Sequence, residues 1–278
     1  MALFQLRIMY YKAVFIDIDD TLLDYIPCCR EAFFSALHAL NDEMSVALPL
    51  NGDLLDSDGH RQSSVLNDEL FELFFSISGR LFSEAKRGLH TVAEVMELYP
   101  REFVERMSEL TNERMNEAEI ARRTETFKHA FRAAWGTTHT LVPGAEDALR
   151  ALQHKGYRLF AASNSFGHLQ RSRLQHAGIL HYFEDTYISM DIGYDKPDVR
   201  FYAEALRRCG LQAHEVLMVG DSMTTDIIGA QQAGLDAIYF NRRNEAGSDL
   251  HQPSISSLAE LEACIEAEEQ RRNSRCHQ

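Results

Sequence analysis

Residues 14–24 read VFIDIDDTLLD, and the change of character at Asp17 decides the fold. The four residues 13–16 (AVFI) are all apolar, with none of the alternation of a half-exposed strand. A short run of that kind fits a strand buried on both faces, as in a parallel sheet. It is stopped by the carboxylates Asp17, Asp19 and Asp20. Working outward, similar runs recur at 157–162, 186–189, 216–219 and 237–240. Helical patterns lie between them at 144–155, 167–177, 197–209 and 225–233. Strands alternating with helices predict an α/β, doubly wound (Rossmann-like) parallel sheet with right-handed crossovers.

That alternation is absent in the middle of the chain. Phe33, Phe34, Leu37 and Leu40 stand at helical spacing, as do Leu66, Leu70, Leu73, Phe74 and Ile77. Phe103, Val104, Met107 and Leu110 continue the pattern, followed by Phe127, Ala130, Phe131, Ala134 and Trp135. Pro100 is expected to separate two of these helices or to open the second. The polar, Gly/Asp/Ser-rich segment 51–64 is expected to be an exposed loop. The expected organisation is a discontinuous α/β core, residues 1–23 and 140–278, with a helical unit inserted at 24–139. The last residues, RRNSRCHQ, are expected to fray.

The chain has 278 residues, 45% hydrophobic and 25% charged, ordinary globular usage that argues against disorder. Its 42 acidic residues outnumber 28 Lys and Arg, for a net charge of −14, so a nucleic acid polymer is not an expected partner. A small anionic substrate remains compatible, because a metal ion and a few placed cations reverse the field locally. The odd cysteine count, with Cys28 and Cys29 adjacent and no C-x-x-C, suits a reducing compartment. No signal sequence or membrane span is recognisable, so a cytoplasmic location is expected.

The chemistry-bearing residues stand where strands end, which is where an open parallel sheet places its ligands. Asp17 and Asp19 follow the first run, Ser163 and Asn164 the second (LFAASNSFG, 159–167), and Lys196 the third (GYDKPD, 193–198). Asp221 and Asp226 follow the fourth (VLMVGDSMTTD, 216–226). Carboxylates, one ammonium and a hydroxyl at one sheet edge can hold a hard divalent cation and a phosphoryl group together. Each segment alone has a bland reading. The aspartates suit a solvated turn, Asp221 suits a helix N-cap, and Lys-Pro is usually incidental. The twelve histidines show no zinc spacing, and there is no G-x-S-x-G, P-loop or G-x-G-x-x-G.

Taken together, in order and at these distances, the four segments resemble the four motifs of the haloacid dehalogenase-like (HAD) superfamily, with a helical C1-type cap inserted after the first. The resemblance implies that Asp17 is a nucleophile attacking phosphorus to give an aspartyl-phosphate. Asp19 would protonate the leaving alcohol and then activate water. Mg²⁺ would be held by Asp17, the Asp19 main-chain carbonyl and Asp221, with Asp226 in support. Ser163, Asn164 and Lys196 would bind phosphate. An aspartate at position 19 points to phosphoryl chemistry, because a dehalogenase has no leaving alcohol to protonate. The cap would close over the site and contact the leaving group.

The stretches SNSFGHLQRSRLQHAGI (163–179) and GDSMTTDIIGAQQAG (220–234) are similar to pyrimidine 5′-nucleotidases and acylneuraminate-phosphate phosphatases. The expected activity is Mg²⁺-dependent phosphomonoester hydrolysis of a small phosphorylated metabolite, a nucleoside 5′-monophosphate first and a sugar phosphate as alternative. A phosphomutase and a non-catalytic binding module stand behind these, and monomer and homodimer are both open. Phe166 is a candidate for stacking on substrate, Asp20 for hydrogen bonding within its turn. Tyr99, Phe103, Phe127, Phe131 and Trp135 are expected to be core rather than a substrate box.

Overall fold

In the computed structural model, residues 10–42, 62–111, 113–243 and 252–275 are described. Three expectations fall partly or wholly outside them: the reading of the amino-terminal stretch at residues 1–9, the loop at 51–61, and the end of the tail at 276–278. The chain divides into two units, residues 1–25 with 139–278, and residues 26–138.

The first unit is built on six parallel strands. These are β1 (Ala13–Ile16), β2 (Arg158–Ser163), β3 (Asp185–Ile188), β4 (Val216–Gly220), β5 (Asp236–Phe240) and β6 (Ser254–Ile255), in the order β3-β2-β1-β4-β5-β6. β1 is central, with Ile16 beside Ala161 of β2 and Val219 of β4. Its apolar run follows from this place. Val14 and Ile16 enter one core layer with Leu159, Ala161, Leu217 and Val219, while Ala13 and Phe15 enter the other with Phe160, Ala162 and Met218. Helices α5 (Ala145–Lys155) and α10 (Leu261–Arg275) contribute Leu149, Leu152, Leu261 and Ile265 to the first layer. The short α7 (Ser189–Ile192) follows β3, and α8 (Val199–Cys209) contributes Phe201, Tyr202 and Ala205 to the second. Burying one such side chain contributes roughly 1.5–3 kcal/mol, so a central strand apolar on both faces is among the most strongly held parts of the unit. The chain moves outward from β1 to β3 on one side, then returns to β4 on the other. That reversal opens a crevice at the carboxyl ends of β1 and β4.

The second unit consists of α1 (Tyr25–Asn41, which begins in the first unit), α2 (Gln62–Lys86), α3 (Val92–Leu110) and α4 (Glu117–Trp135). Its core is aromatic. Phe33 lies 5.0 Å from Phe74 and 5.4 Å from Phe103, Phe103 lies 4.9 Å from Phe127, and Phe131 stacks on Trp135. Tyr99 joins through Phe74 and Phe131, so the five aromatic residues expected as core are core. Thr91 with Glu94 and Asn116 with Glu119 form capping boxes that start α3 and α4. The buried Arg123 is held bidentately by Glu113, both contacts 2.7 Å.

Three expectations are corrected. Pro100 neither separates nor opens helices, because α3 starts at the Thr91 cap and runs through it. A proline here removes the hydrogen bond to the carbonyl four residues earlier. That carbonyl, of Met96, accepts instead from the Arg132 guanidinium at 3.4 Å. The polar loop ends earlier than expected, since residues 62–64 already belong to α2. The tail is helical to Arg275, with Arg271 bonded to Glu268 and Ser274 to the Gln270 carbonyl. No helix among the described residues is long and apolar enough to cross a membrane.

Candidate active site

Asp17 is the first residue after β1, and its N–H still donates to the Val219 carbonyl at 2.9 Å, which ties it to the end of β4. The chain then turns tightly. Leu22 and Leu23 N–H both donate to Ile18 O, and Asp20 takes a left-handed φ of 58°, which Asp tolerates better than most residues. Asp20 Oδ1 accepts from Tyr25 N, Arg242 and Arg243 at 3.2, 3.2 and 2.7 Å, so the expected turn role of Asp20 is what the structure contains. Burial pushes its carboxyl up, with Arg243 and Arg242 opposing.

Lys196 lies between β3 and α8. The Asn164 side chain grips its backbone from both sides, accepting from Lys196 N and donating to Lys196 O, each at 2.8 Å. The Lys196–Pro197 peptide is cis. The ammonium is buried at 3% exposure and donates to Asp17 Oδ1, Asp226 Oδ1 and the Ala162 carbonyl, all at 2.7 Å. Three hydrogens meet three acceptors, so the ammonium's donor capacity is filled. It therefore acts on a bound anion through its field, and on Asp17 directly. Burial alone would push Lys196 down, yet the Asp17 and Asp226 carboxylates outweigh it and hold the ammonium above its ordinary range. Burial pushes Asp17 well up; Lys196 opposes, and Asp226 and Asp221 add to the rise. Both shifts reflect charged groups packed against one another away from water.

Asp221 and Asp226 come from the end of β4. The chain passes Gly220 and enters a widened π-helical turn, Met223–Ile228, followed by α9 (Gly229–Gln232). Turns of this type recur at functional sites because they re-aim a side chain. Here Asp226 Oδ2 accepts from Ser222 N at 3.0 Å while Oδ1 faces Lys196. Asp17, Asp221 and Asp226 bring one carboxylate oxygen each within 4.8 Å of one another. An all-oxygen donor set with this surplus of negative charge fits a hard divalent cation such as Mg²⁺. Gly220 makes the arrangement possible, since an added Cβ would lie 2.7 Å from Asp226 Cβ and closer still to its carboxylate. Gly220→Ala is therefore expected to displace Asp226 and lower kcat/KM by about 10-fold or more, with the overall fold retained. Unchanged steady-state kinetics would show that Asp226 is not needed in this position.

Asp19 points elsewhere. Its Oδ1 accepts from Arg173 and its Oδ2 from Gln170, both at 2.6 Å, and Gln170 also reaches Ser163 Oγ at 3.0 Å. Gln170 and Arg173 lie on α6 (Gly167–His176). Phe166, just before α6, has its ring beside His168 at 6.0 Å. The structure thus brings Asp17, Lys196, Asp221 and Asp226 into one group, and Asp19 with Ser163 into a second held through α6. Asn164 serves the first group as the clamp on Lys196. Gln170, Arg173, Arg242 and Arg243 were not singled out in the sequence. The only sign of the first two was an i, i+3 polar pair shortly after Ser163, a spacing that shares one helix face.

A buried lysine shared by two carboxylates beside a third, at the carboxyl edge of a parallel sheet, places the protein among Rossmann-like α/β proteins with a carboxylate-centred site. Residues 11–234 match the family model of the haloacid dehalogenase-like hydrolases, and the chain belongs to that family. It is 29% identical over 230 residues, 83% of this chain and 85% of the other, to a glyceraldehyde 3-phosphate phosphatase of Methanothermobacter thermautotrophicus. It is 34% identical over 128 residues, 45% of this chain and 54% of the other, to the pyrimidine 5′-nucleotidase PynA of Streptococcus pneumoniae. Among solved structures, the putative HAD-hydrolase YfnB of Bacillus subtilis, crystallised with magnesium, superimposes with a TM-score of 0.70 at 25% identity. That superposition covers 92% of this chain and 98% of the other.

Proposed function

We propose that this hydrolase is a Mg²⁺-dependent phosphomonoesterase working through an aspartyl-phosphate on Asp17. The observation that carries the reading is the Asp17 carboxylate, held by Lys196 at 2.7 Å beside Asp221 and Asp226. Lys196 takes Oδ1, and among the described residues Oδ2 accepts no hydrogen bond, so one oxygen is anchored and one is left for other work. In the proposed reaction an Asp17 oxygen forms the bond to phosphorus as the ester P–O bond breaks. Asp19 delivers a proton to the departing alkoxide, then takes one from the water that cleaves the aspartyl-phosphate. Ser163 and the Asn164 N–H hold phosphoryl oxygens, and Lys196 offsets their charge through its field. Mg²⁺ bound by Asp17 and Asp221, with Asp226 in support and the Asp19 carbonyl as a further ligand, would supply charge neutralisation of the phosphoryl group.

The substrate we favour is a nucleoside 5′-monophosphate, supported by the similarity of 163–179 and 220–234 to nucleotidases and by the PynA match. A sugar or triose phosphate is the second reading, favoured by the longer match to a glyceraldehyde 3-phosphate phosphatase. The helical unit at 24–139 is proposed as the cap that contacts the leaving group. Among the described residues Cys28, Cys29, Cys209 and Cys264 are free thiols, which suits the proposed cytoplasmic location.

Phosphate release from a panel of nucleotides, sugar phosphates and p-nitrophenyl phosphate tests the proposal. Turnover is expected with Mg²⁺ and should fall by about 100-fold or more when EDTA removes it. No phosphate from any ester, with metal present, would overturn the phosphatase reading. The ranking of esters separates nucleotide from sugar.

A further inference from the structure

Gln170 and Arg173 are both 0% exposed, on a helix that also buries Leu169 and Leu174. Burying a guanidinium costs several kcal/mol before its partners repay it, and an apolar residue would pack α6 as well or better. A sequence that nevertheless keeps two polar residues there has placed them for what they bond.

Their bonds form a closed ring. Arg173 Nη1 donates to Asp19 Oδ1 at 2.6 Å and to Gln170 Oε1 at 2.8 Å. Arginine has no acceptor, so the amide must turn its oxygen to Arg173 and its nitrogen toward the carboxylate. The two hydrogens on Gln170 Nε2 are then divided between Asp19 Oδ2 at 2.6 Å and Ser163 Oγ at 3.0 Å. Because Ser163 Oγ accepts from the amide, its own hydrogen is left to donate to a different atom. One amide, locked by one guanidinium, thereby sets both the carboxylate at the end of the first motif and the hydroxyl at the end of β2.

We propose that Gln170 and Arg173 are positioning residues that hold Asp19 and Ser163 in register with each other, so that proton delivery to the leaving oxygen and the grip on the phosphoryl oxygens share one rigid support. This rests on Asp19 serving as the proton donor of the phosphatase reaction. It does not involve either α6 residue touching substrate.

The test exploits the leaving group. The ratio kcat/KM reports steps up to departure of the alcohol, and p-nitrophenolate departs without a proton while an alkoxide does not. Gln170→Leu, which keeps the bulk and removes both donors, is expected to lower kcat/KM for the best alkyl phosphate by about 10- to 100-fold. The loss on p-nitrophenyl phosphate should be about 10 times smaller. Gln170→Glu keeps the shape and the contact to Arg173 but has no hydrogen for Asp19 or Ser163, so it should show the same selective loss. It also decides the matter if the leucine variant does not fold. Equal losses on both esters, or none, would overturn the proposal and leave α6 with a packing role. A wild-type enzyme inert toward both esters would instead overturn the phosphatase reading itself, a distinguishable result.

Discussion

Asp17→Asn is expected to abolish phosphate release, with a fall in kcat of about 10⁴-fold or more, while the protein stays folded. The size follows from the role. An amide oxygen is a poor nucleophile, and loss of a covalent nucleophile is among the most damaging changes an active site can suffer. The stability argument runs the other way. Asp17 is 7% exposed and shares one ammonium with Asp226, beside the further negative charge of Asp221. Asparagine keeps the shape, still offers Oδ1 to Lys196, and removes one charge from that crowd. The thermal midpoint without added metal should therefore be unchanged or higher. Activity and stability would part company, as expected where a site keeps a strained charge arrangement for its chemistry. A loss of activity below about 100-fold would remove Asp17 from the nucleophile's role.

Lys196→Met should damage both properties at once. Methionine fills similar space but leaves Asp17, Asp226 and the Ala162 carbonyl without the donor that each now has at 2.7 Å. Breaking a buried pair from one side costs about 3–5 kcal/mol, because the abandoned charge stays buried. Turnover should fall by about 10²- to 10³-fold, the scale seen when one preorganised electrostatic group is deleted. Adding Asp226→Asn to the methionine variant should restore part of the stability and none of the activity, since it removes one of the stranded charges. Denaturant unfolding of the two variants beside wild type measures this. A methionine variant as stable as wild type would mean that the ammonium does not neutralise this cluster.

Much of this arrangement was legible in the sequence, for a physical reason. The run AVFI has no polar position because β1 is paired on both edges and covered on both faces. Carboxylates immediately beyond such runs are exposed to one sheet edge by the strand itself, whatever the helices do. The parts that could not be read depend on contacts between distant residues. Gln170 and Arg173 look like an ordinary solvated helix face, and it takes partners such as the distant Asp19 and Ser163 to make their burial tolerable. Pro100 carries the usual mark of a helix end, yet Arg132 on another helix takes the carbonyl it frees. The two residues of β6 are too few to show a pattern. The π-turn that aims Asp226 is an extra residue's worth of backbone, which leaves periodicity almost unchanged over so short a span.

The central place of β1 has a consequence for synthesis. Its partners begin at Arg158 and Val216, so β1 must wait until more than 140 and about 200 further residues have been made before it can pair on each edge. Residues 26–138 close most of their contacts among themselves and can condense meanwhile, as local contacts form faster than remote ones. During that interval AVFI is an unsatisfied apolar edge followed at once by the charged Asp17, Asp19 and Asp20. Charges flanking a sticky strand act as gatekeepers against aggregation. The carboxylates that crowd the finished site thus also guard the nascent chain, well before there is a site for them to serve.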